Sequence, residues 1–216
     1  MAKSLTDSDD IGRFRSTLEA TIASFGLERL SVAQVDQLVE HYGMLCKWNR
    51  HINLTRITRP DQAARLHYAE SLFGGVFVGE ARTLLDLGSG AGFPGVPLAV
   101  LRSDLQVTAL EASQKKALFL TEVKEALGLS NFSVVRARIE DLDWKHYDLL
   151  TSRALDRAEE MLGPVATRLR PAQRLMLYCT PDLIEQLEAE TAGGFKTEVH
   201  SIPQAESRVV ALLSKP

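Results

Sequence analysis

Apolar residues recur along this chain in two textures. Up to about Phe73 they keep helical spacing. Ile11, Phe14, Leu18 and Ile22 form one stripe behind the acidic pair Asp9-Asp10, which predicts a helix through about Phe25. Val35, Leu38, Tyr42 and Leu45 form a second stripe behind Ser31, and Pro60 opens a third helix through about Phe73. After Gly79 short apolar runs alternate with helical segments, the signature of a parallel sheet with crossover helices. The predicted strands are Thr83–Leu87, Gln106–Leu110, Phe132–Val135, Tyr147–Thr151, Arg174–Cys179, Lys196–Ser201 and Arg208–Leu213. The predicted helices between them are Gly95–Leu101, Gln114–Leu127, Asp156–Leu169 and Pro181–Ala192. Only Ile202 to Ser207 separate the last two strands, so these should pair antiparallel. The expected fold is α/β and Rossmann-like: a seven-stranded, mostly parallel sheet with an antiparallel last strand. An N-terminal helical extension (1–78) would pack on this core (79–216).

Composition adds bounds. With 216 residues, 45% apolar and 25% charged, the chain is an ordinary globular protein, which excludes a disordered, collagen-like or coiled-coil polypeptide. Cys46 and Cys179 are far apart and no Cys/His cluster has zinc-ligand spacing, so no metal is expected. Two unpaired thiols fit a reducing compartment. The polar, acidic stretch Met1 to Asp10 is no signal or transit peptide, and no apolar run reaches the roughly 18 residues of a membrane span. A cytoplasmic protein with no membrane partner is therefore expected.

The stretch Leu84-Leu85-Asp86-Leu87-Gly88-Ser89-Gly90-Ala91-Gly92-Phe93-Pro94-Gly95 carries the chemistry. An apolar strand runs into a carboxylate, then alternate glycines, then a helix start. Glycines there permit unusual backbone angles and close approach of a ligand. The dinucleotide fingerprint G-x-G-x-x-G would need glycine at Phe93. The spacing found here suits a ligand without a pyrophosphate, S-adenosylmethionine. Glu111 ends the second strand, where a carboxylate can accept both ribose hydroxyls; NAD would ask for the same residue. The seven-strand order ending in a hairpin is the class I methyltransferase architecture.

These segments resemble the bacterial small-subunit (16S) ribosomal RNA guanine-N7 methyltransferases, the glucose-inhibited division protein B family. The Asp86–Ala99 loop is similar to the family's. Trp48-Asn49-Arg-His-Ile-Asn53-Leu-Thr55 resembles its W-N-x-x-x-N-L-T signature. His67-Tyr-Ala-Glu-Ser71-Leu72 resembles its H-x-x-D-S-L box, and Thr151-Ser-Arg153-Ala154 its S-R-A segment. The resemblance implies a cofactor site of Gly88, Ser89, Gly90, Gly92, Phe93, Glu111, Ile139, Glu140 and Arg153. It implies S-adenosylmethionine as cofactor, S-adenosylhomocysteine as product, and 16S rRNA or the small ribosomal subunit particle as partner, with no obligate protein partner. Arg153, on a loop after the fourth strand, is the catalytic candidate. Asn53, His67, Arg138 and Arg174 are candidate substrate contacts. Two departures stand out: Glu70 replaces the family's Asp, and Cys179-Thr180 replace its Lys-Gly. Arg174 is the candidate replacement for that lysine.

The chemistry fits what the sequence lacks. A guanine N7 offers a lone pair and no proton, so methyl transfer needs alignment and dryness rather than a general base. No Ser-His-Asp pattern is present; the Asn/Asp-Pro-Pro-Tyr/Phe motif of amine methylation and the Pro-Cys of cytosine C5 chemistry are absent too. Other readings remain open: a methyltransferase for another RNA or a small molecule, a non-catalytic ribosome-assembly RNA-binding module, or a nicotinamide dehydrogenase. Gly90→Val should block the cofactor. Arg153→Ala should lower turnover with the fold intact.

Of the remaining residues, His41 and His51 suit surface or hydrogen-bonding roles. Trp48 suits a core position between the leading helices and the sheet rather than a base-stacking one. Asn49 and Asn53 share a face if the helix continues, where they could pin the next loop. The net charge is −3, which counts against a polyanion partner. Its distribution does not. Lys47, Arg50, Arg56, Arg59 and Arg65 cluster in 47–68, and Arg136, Arg138, Lys145, Arg153, Arg157, Arg168, Arg170 and Arg174 in 136–174.

Overall fold

The computed structural model describes residues 8–153, 158–191 and 194–215. Ala154, Arg157, the Asp156 start of one predicted helix and the Ala192 end of another lie outside them. The leading helices are α1 (Ser8–Ser24) and α2 (Val32–Trp48). Ser31 caps α2 in a reciprocal box: the Gln34 N–H donates to Ser31 Oγ (3.2 Å) and the Ser31 N–H to Gln34 Oε1 (2.9 Å). The third helix is interrupted: α3 (Pro60–Ala63), a π-helical turn (Ala64–Ala69), then α4 (Glu70–Gly74).

The sheet comprises β1 (Thr83–Leu87), β2 (Gln106–Leu110), β3 (Phe132–Val135), β4 (Leu149–Arg153), β5 (Arg174–Cys179), β6 (Lys196–Ser201) and β7 (Val209–Ser214). Its order is β3-β2-β1-β4-β5-β7-β6. β7 runs antiparallel to both β5 and β6, and the pairs among β1 to β5 are parallel. The crossovers are α5 (Gly95–Leu101), α6 (Gln114–Leu127), α7 (Ala158–Thr167) and α8 (Pro181–Glu190). Residues 84–87 and 107–110 are buried at every position, as expected for parallel strands covered on both faces.

One strand differs from its predicted bounds by two residues, and the shift moves a site residue. The Asp148 carboxylate accepts from the N–H groups of Arg82 (2.8 Å) and Thr83 (2.9 Å), fastening the start of β1. Pairing begins only at Leu84 opposite Leu149 and runs on to Arg153, which lies opposite Tyr178. Arg153 is thus the last residue of β4, not part of a following loop.

The core does not stop at the sheet. One apolar cluster joins Phe14, Leu38, Tyr42 and Tyr68 from the leading helices to Phe93, Leu120 and Val107. Burying side chains of that size contributes roughly 1.5–3 kcal/mol each. Two α2 glutamines add polar links: Gln34 Nε2 donates to the Val100 carbonyl (3.0 Å) and Gln37 Nε2 to that of Leu127 (2.8 Å). These carbonyls end α5 and α6, where helices leave acceptors without partners. No helix among the described residues is long and apolar enough to cross a membrane.

Candidate active site

The glycine loop bridges the carboxyl end of β1 and α5. Gly88, Gly90 and Gly92 all have positive φ (68°, 57° and 90°). Asp86 pins the loop from both ends: its Oδ2 accepts from Ser89 Oγ (2.6 Å) and from the Gly95 N–H (3.0 Å). Two of the glycines are needed for opposite reasons. A Cβ on Gly92 would lie 2.7 Å from Val96 Cγ2 and 3.3 Å from His41 Nε2, so the packing excludes one. A Cβ on Gly90 would meet nothing nearer than the Gly88 carbonyl at 3.6 Å, so Gly90 borders open space.

Glu111 closes the other side. Its Oε2 accepts from the Gly90 N–H (2.9 Å) and its Oε1 from the Ser113 N–H (2.8 Å). Each oxygen keeps a further lone pair. Asp86 is fully buried and its Oδ1 has no hydrogen-bond partner. Burial, the largest cause, pushes its carboxyl up to about 7 despite the bonds from Ser89 and Gly95. The unused oxygen is enclosed by the protein, and the open space lies at Gly90; a carboxylate beneath an open glycine loop suits a ligand that brings a cationic ammonium, as S-adenosylmethionine does. Ile139 and Glu140 begin a short 3-10 turn after β3. Ile139 is buried with Leu87 and Leu110, and Glu140 is exposed.

The leading helices fasten this loop. His41 Nε2 donates to the Ala91 carbonyl (3.1 Å), and His41 Nδ1 accepts from the Tyr68 hydroxyl (3.0 Å). Phe93 stacks on His67 (centroids 4.6 Å apart, planes at 19°) and meets the edge of Tyr68. The Phe93 ring is thus committed to this aromatic cluster and 7% exposed. The backbone at Phe93 is the part of this residue that belongs to the glycine loop. Ser89 is likewise committed, its hydroxyl to Asp86 and its N–H to the Leu110 carbonyl (3.0 Å).

His67 is buried, with Nε2 2.9 Å from Thr55 Oγ1. Burial holds both His41 and His67 down to about 3, aided at His67 by the Arg153 charge. Their folded values lie below the unfolded one, so the stability they confer is present above about pH 6.5 and lost as pH falls toward 3. Asp86 acts oppositely, losing stability as pH rises through about 7. A difference measurement isolates His41: Gln can make both of its hydrogen bonds without titrating. The unfolding free energy of the wild type minus that of His41→Gln should fall by about 2 kcal/mol between pH 7 and pH 5. Urea unfolding at both pH values checks this; a constant difference would contradict it.

Arg153 ends β4 with its guanidinium largely enclosed. Its side chain is 12% exposed. Nη1 donates to the His67 carbonyl (3.0 Å) and Ser71 Oγ (3.3 Å), and Nη2 to the Leu66 carbonyl and Glu70 Oε2 (3.2 Å). Leu66 and His67 lie in the π-helical turn, a feature frequent at functional sites. Arg153 therefore staples the segment carrying His67 and Glu70 to β4. Glu70 also accepts from Arg208 through Oε1 (Nε 3.0 Å, Nη2 2.6 Å). Burial pushes the Glu70 carboxyl up, and the two guanidinium charges oppose that.

Other candidates separate by position. Arg174 opens β5 at the amino end, opposite the glycine loop, and caps the Phe77 and Val78 carbonyls. It cannot replace a lysine at the carboxyl end of that strand. Asn53 lies beyond the end of α2 and is exposed, so it shares no helix face with Asn49. Asn49 alone pins the loop, accepting from the N–H groups of Leu54 (2.8 Å) and Thr55 (2.9 Å). Arg138 is exposed beside the Ile139 turn. Trp48 packs edge-on against Phe119 of α6 and donates to Glu122 (3.1 Å). Tyr68 and Arg208 are structural members of the site that sequence spacing did not single out. Among the described residues no His/Cys/Asp/Glu group could hold a metal ion.

The family model for rRNA small subunit methyltransferase G matches residues 34–209. The chain belongs to this family. A Solibacter usitatus protein named ribosomal RNA small subunit methyltransferase G is 36% identical over 169 residues, 78% of this chain and 80% of its own length. A protein of that name from Stenotrophomonas maltophilia is 40% identical over 162 residues, 74% of each chain. One from Neisseria meningitidis is 41% identical over 140 residues, 65% of this chain and 67% of its own. Among solved structures, a Thermotoga maritima SAM-dependent O-methyltransferase superposes with a TM-score of 0.58 at 16% identity, covering 80% of this chain and 71% of its own. An M. jannaschii protein crystallised in complex with AdoMet gives a TM-score of 0.53 at 20% identity, covering 68% of this chain and 75% of its own. These likenesses show the fold of S-adenosylmethionine-dependent enzymes. Glu70 contacts Arg153 and Arg208 at the same time.

Proposed function

We propose that this chain transfers a methyl group from S-adenosylmethionine to N7 of a guanine in 16S ribosomal RNA, in the cytoplasm, on free rRNA or the small-subunit particle. The observation that carries the reading is the open, left-handed Gly90 beside Glu111 in a chain of this family. Bound S-adenosylmethionine would supply an electrophilic methyl group on a sulfonium. The chain's own residues bind and orient. Gly88 to Gly92 present backbone to the ligand, and Glu111 has lone pairs left for two ribose hydroxyls. Asp86 holds that backbone in shape through Ser89 and Gly95 and places a carboxylate beneath the loop. Ile139 offers an apolar contact and Glu140 a polar one for the adenine.

The acceptor side fits a nucleophile that carries no proton. His67 is neutral at physiological pH and bonded to Thr55, so it neither takes nor gives a proton in this reading. Phe93 and the buried ring of His67 keep the base of the loop dry, which strengthens alignment and polar contacts there. Arg153 acts as a positioning residue through Glu70 and the carbonyls it holds. The exposed Arg138 and Asn53, with Arg50, Arg56 and Arg65, suit contacts to the RNA strand.

The test is direct. Incubate the protein with methyl-labelled cofactor and unmodified 16S rRNA, or small-subunit particles carrying it. Label should appear in 7-methylguanine. Label in bulk tRNA or metabolites alone would move the acceptor; none anywhere would overturn the reading.

A further inference from the structure

A charged trio remains unaccounted for by the cofactor site. Glu70 is 3% exposed and takes two arginines at once, Arg153 on Oε2 and Arg208 on Oε1. Two guanidinium charges face one carboxylate, so the trio is net positive. The two arginines are not equivalent. Arg153 is bound into helix carbonyls, whereas the Arg208 side chain is 41% exposed. Arg208 immediately precedes β7, whose Val209 lies opposite Cys179 at the carboxyl end of β5. Arg208 therefore sits on the edge of the sheet that carries the glycine loop and Arg153, where ligands of open α/β sheets bind.

We propose that Glu70 is a positioning residue for the RNA: it fixes the Arg208 guanidinium on the acceptor side of the site, and the surplus charge of the trio takes a phosphate of the strand bearing the target guanine. This rests on the rRNA reading above. Nε and Nη2 of Arg208 both bond one carboxylate oxygen, which orients a planar fork that would otherwise rotate freely. An arginine held in place loses less freedom when it binds phosphate. Phosphate contacts set the register of a nucleic acid without reading its sequence, so the effect belongs to RNA engagement rather than to the cofactor.

The sign of one substitution separates positioning from bulk charge. Glu70→Gln removes a negative charge, so attraction alone would tighten RNA binding; positioning predicts the opposite. Methylation of unmodified small-subunit particles is measured across salt concentrations for the wild type, Glu70→Gln, Glu70→Asp and Arg208→Ala, with S-adenosylhomocysteine affinity by calorimetry. Glu70→Gln and Arg208→Ala should each raise KM for the particle by roughly tenfold while retaining S-adenosylhomocysteine affinity. The slope of log KM against log salt should fall by about one in Arg208→Ala. Glu70→Asp, still able to pair, should recover most of the loss. If Glu70→Gln fails to fold, Arg208→Ala decides alone, because Glu70 there keeps Arg153. Wild-type KM in Glu70→Gln, or an unchanged salt slope in Arg208→Ala, overturns the proposal. An active wild type with unaffected variants sinks only this proposal; a wild type that methylates no RNA sinks the reading beneath it as well.

Discussion

Gly90→Val is expected to abolish binding of S-adenosylhomocysteine at concentrations that saturate the wild type, while leaving a folded protein. The space beyond the Gly90 Cα is open in the protein, so the substitution meets no wall of its own. It puts two methyl groups where the ligand must lie. Overpacking costs about 1–3 kcal/mol, and the upper part of that range is roughly a hundredfold in affinity, at 1.4 kcal/mol per tenfold. Valine at φ 57° adds strain, about 1–2 kcal/mol, that burdens the fold with or without ligand. Gly128→Val supplies the control. Gly128 shares the left-handed conformation (φ 63°) with nothing near its Cβ, at the far end of α6. It should lower the melting temperature comparably and leave calorimetric affinity unchanged. Equal affinities in all three proteins would show that the ligand does not lie over this loop.

Arg153→Met should destabilise the fold by about 3 kcal/mol, the low end of the cost of breaking a buried ion pair from one side. For a chain of this length that is about 6–12 °C in melting temperature. Methionine fills similar volume, so the loss reports the four guanidinium bonds to Leu66, His67, Glu70 and Ser71. Arg153→Lys should rescue little, because a point charge cannot span acceptors set out for a planar fork. This replaces the expectation that Arg153→Ala would spare the fold. A melting temperature within 2 °C of wild type, measured by calorimetry, would contradict the staple (about 0.5–1 kcal/mol by the same conversion).

What was legible in the sequence was local. Period and punctuation place Thr83–Leu87 and Gln106–Leu110 to the residue because a parallel strand covered on both faces reads as a short, mostly apolar run. The loop announces itself through glycines whose angles other residues resist. What was hidden depends on partners distant in sequence. Arg153 takes its role from carbonyls 86 and 87 residues away, in a π-helical turn that no spacing rule marks. Arg208 meets Glu70 across 138 residues. Arg174 looked like a substitute for a missing lysine because composition carries no direction; only the parallel register shows it at the wrong end of its strand. Phe93 reads as part of a ligand loop, and becomes a core ring once the leading helices bring His41, His67 and Tyr68 against it.

The net charge of −3 also changes meaning with position. Exposed Lys47, Arg50, Arg56, Arg59 and Arg65 gather in one segment around the end of α2 and the start of the third helix. A near-neutral total with local basic ground limits nonspecific attraction to RNA and leaves selectivity to shape and to a few phosphate contacts.

The central claim, methyl transfer to a guanine N7 of 16S rRNA, is tested most directly by mass spectrometry of 16S rRNA from cells with and without this protein. One 7-methylguanosine should be present with the protein and absent without it, restored by the wild-type chain and not by Gly90→Val. Identical 16S rRNA modification in both cells would contradict it.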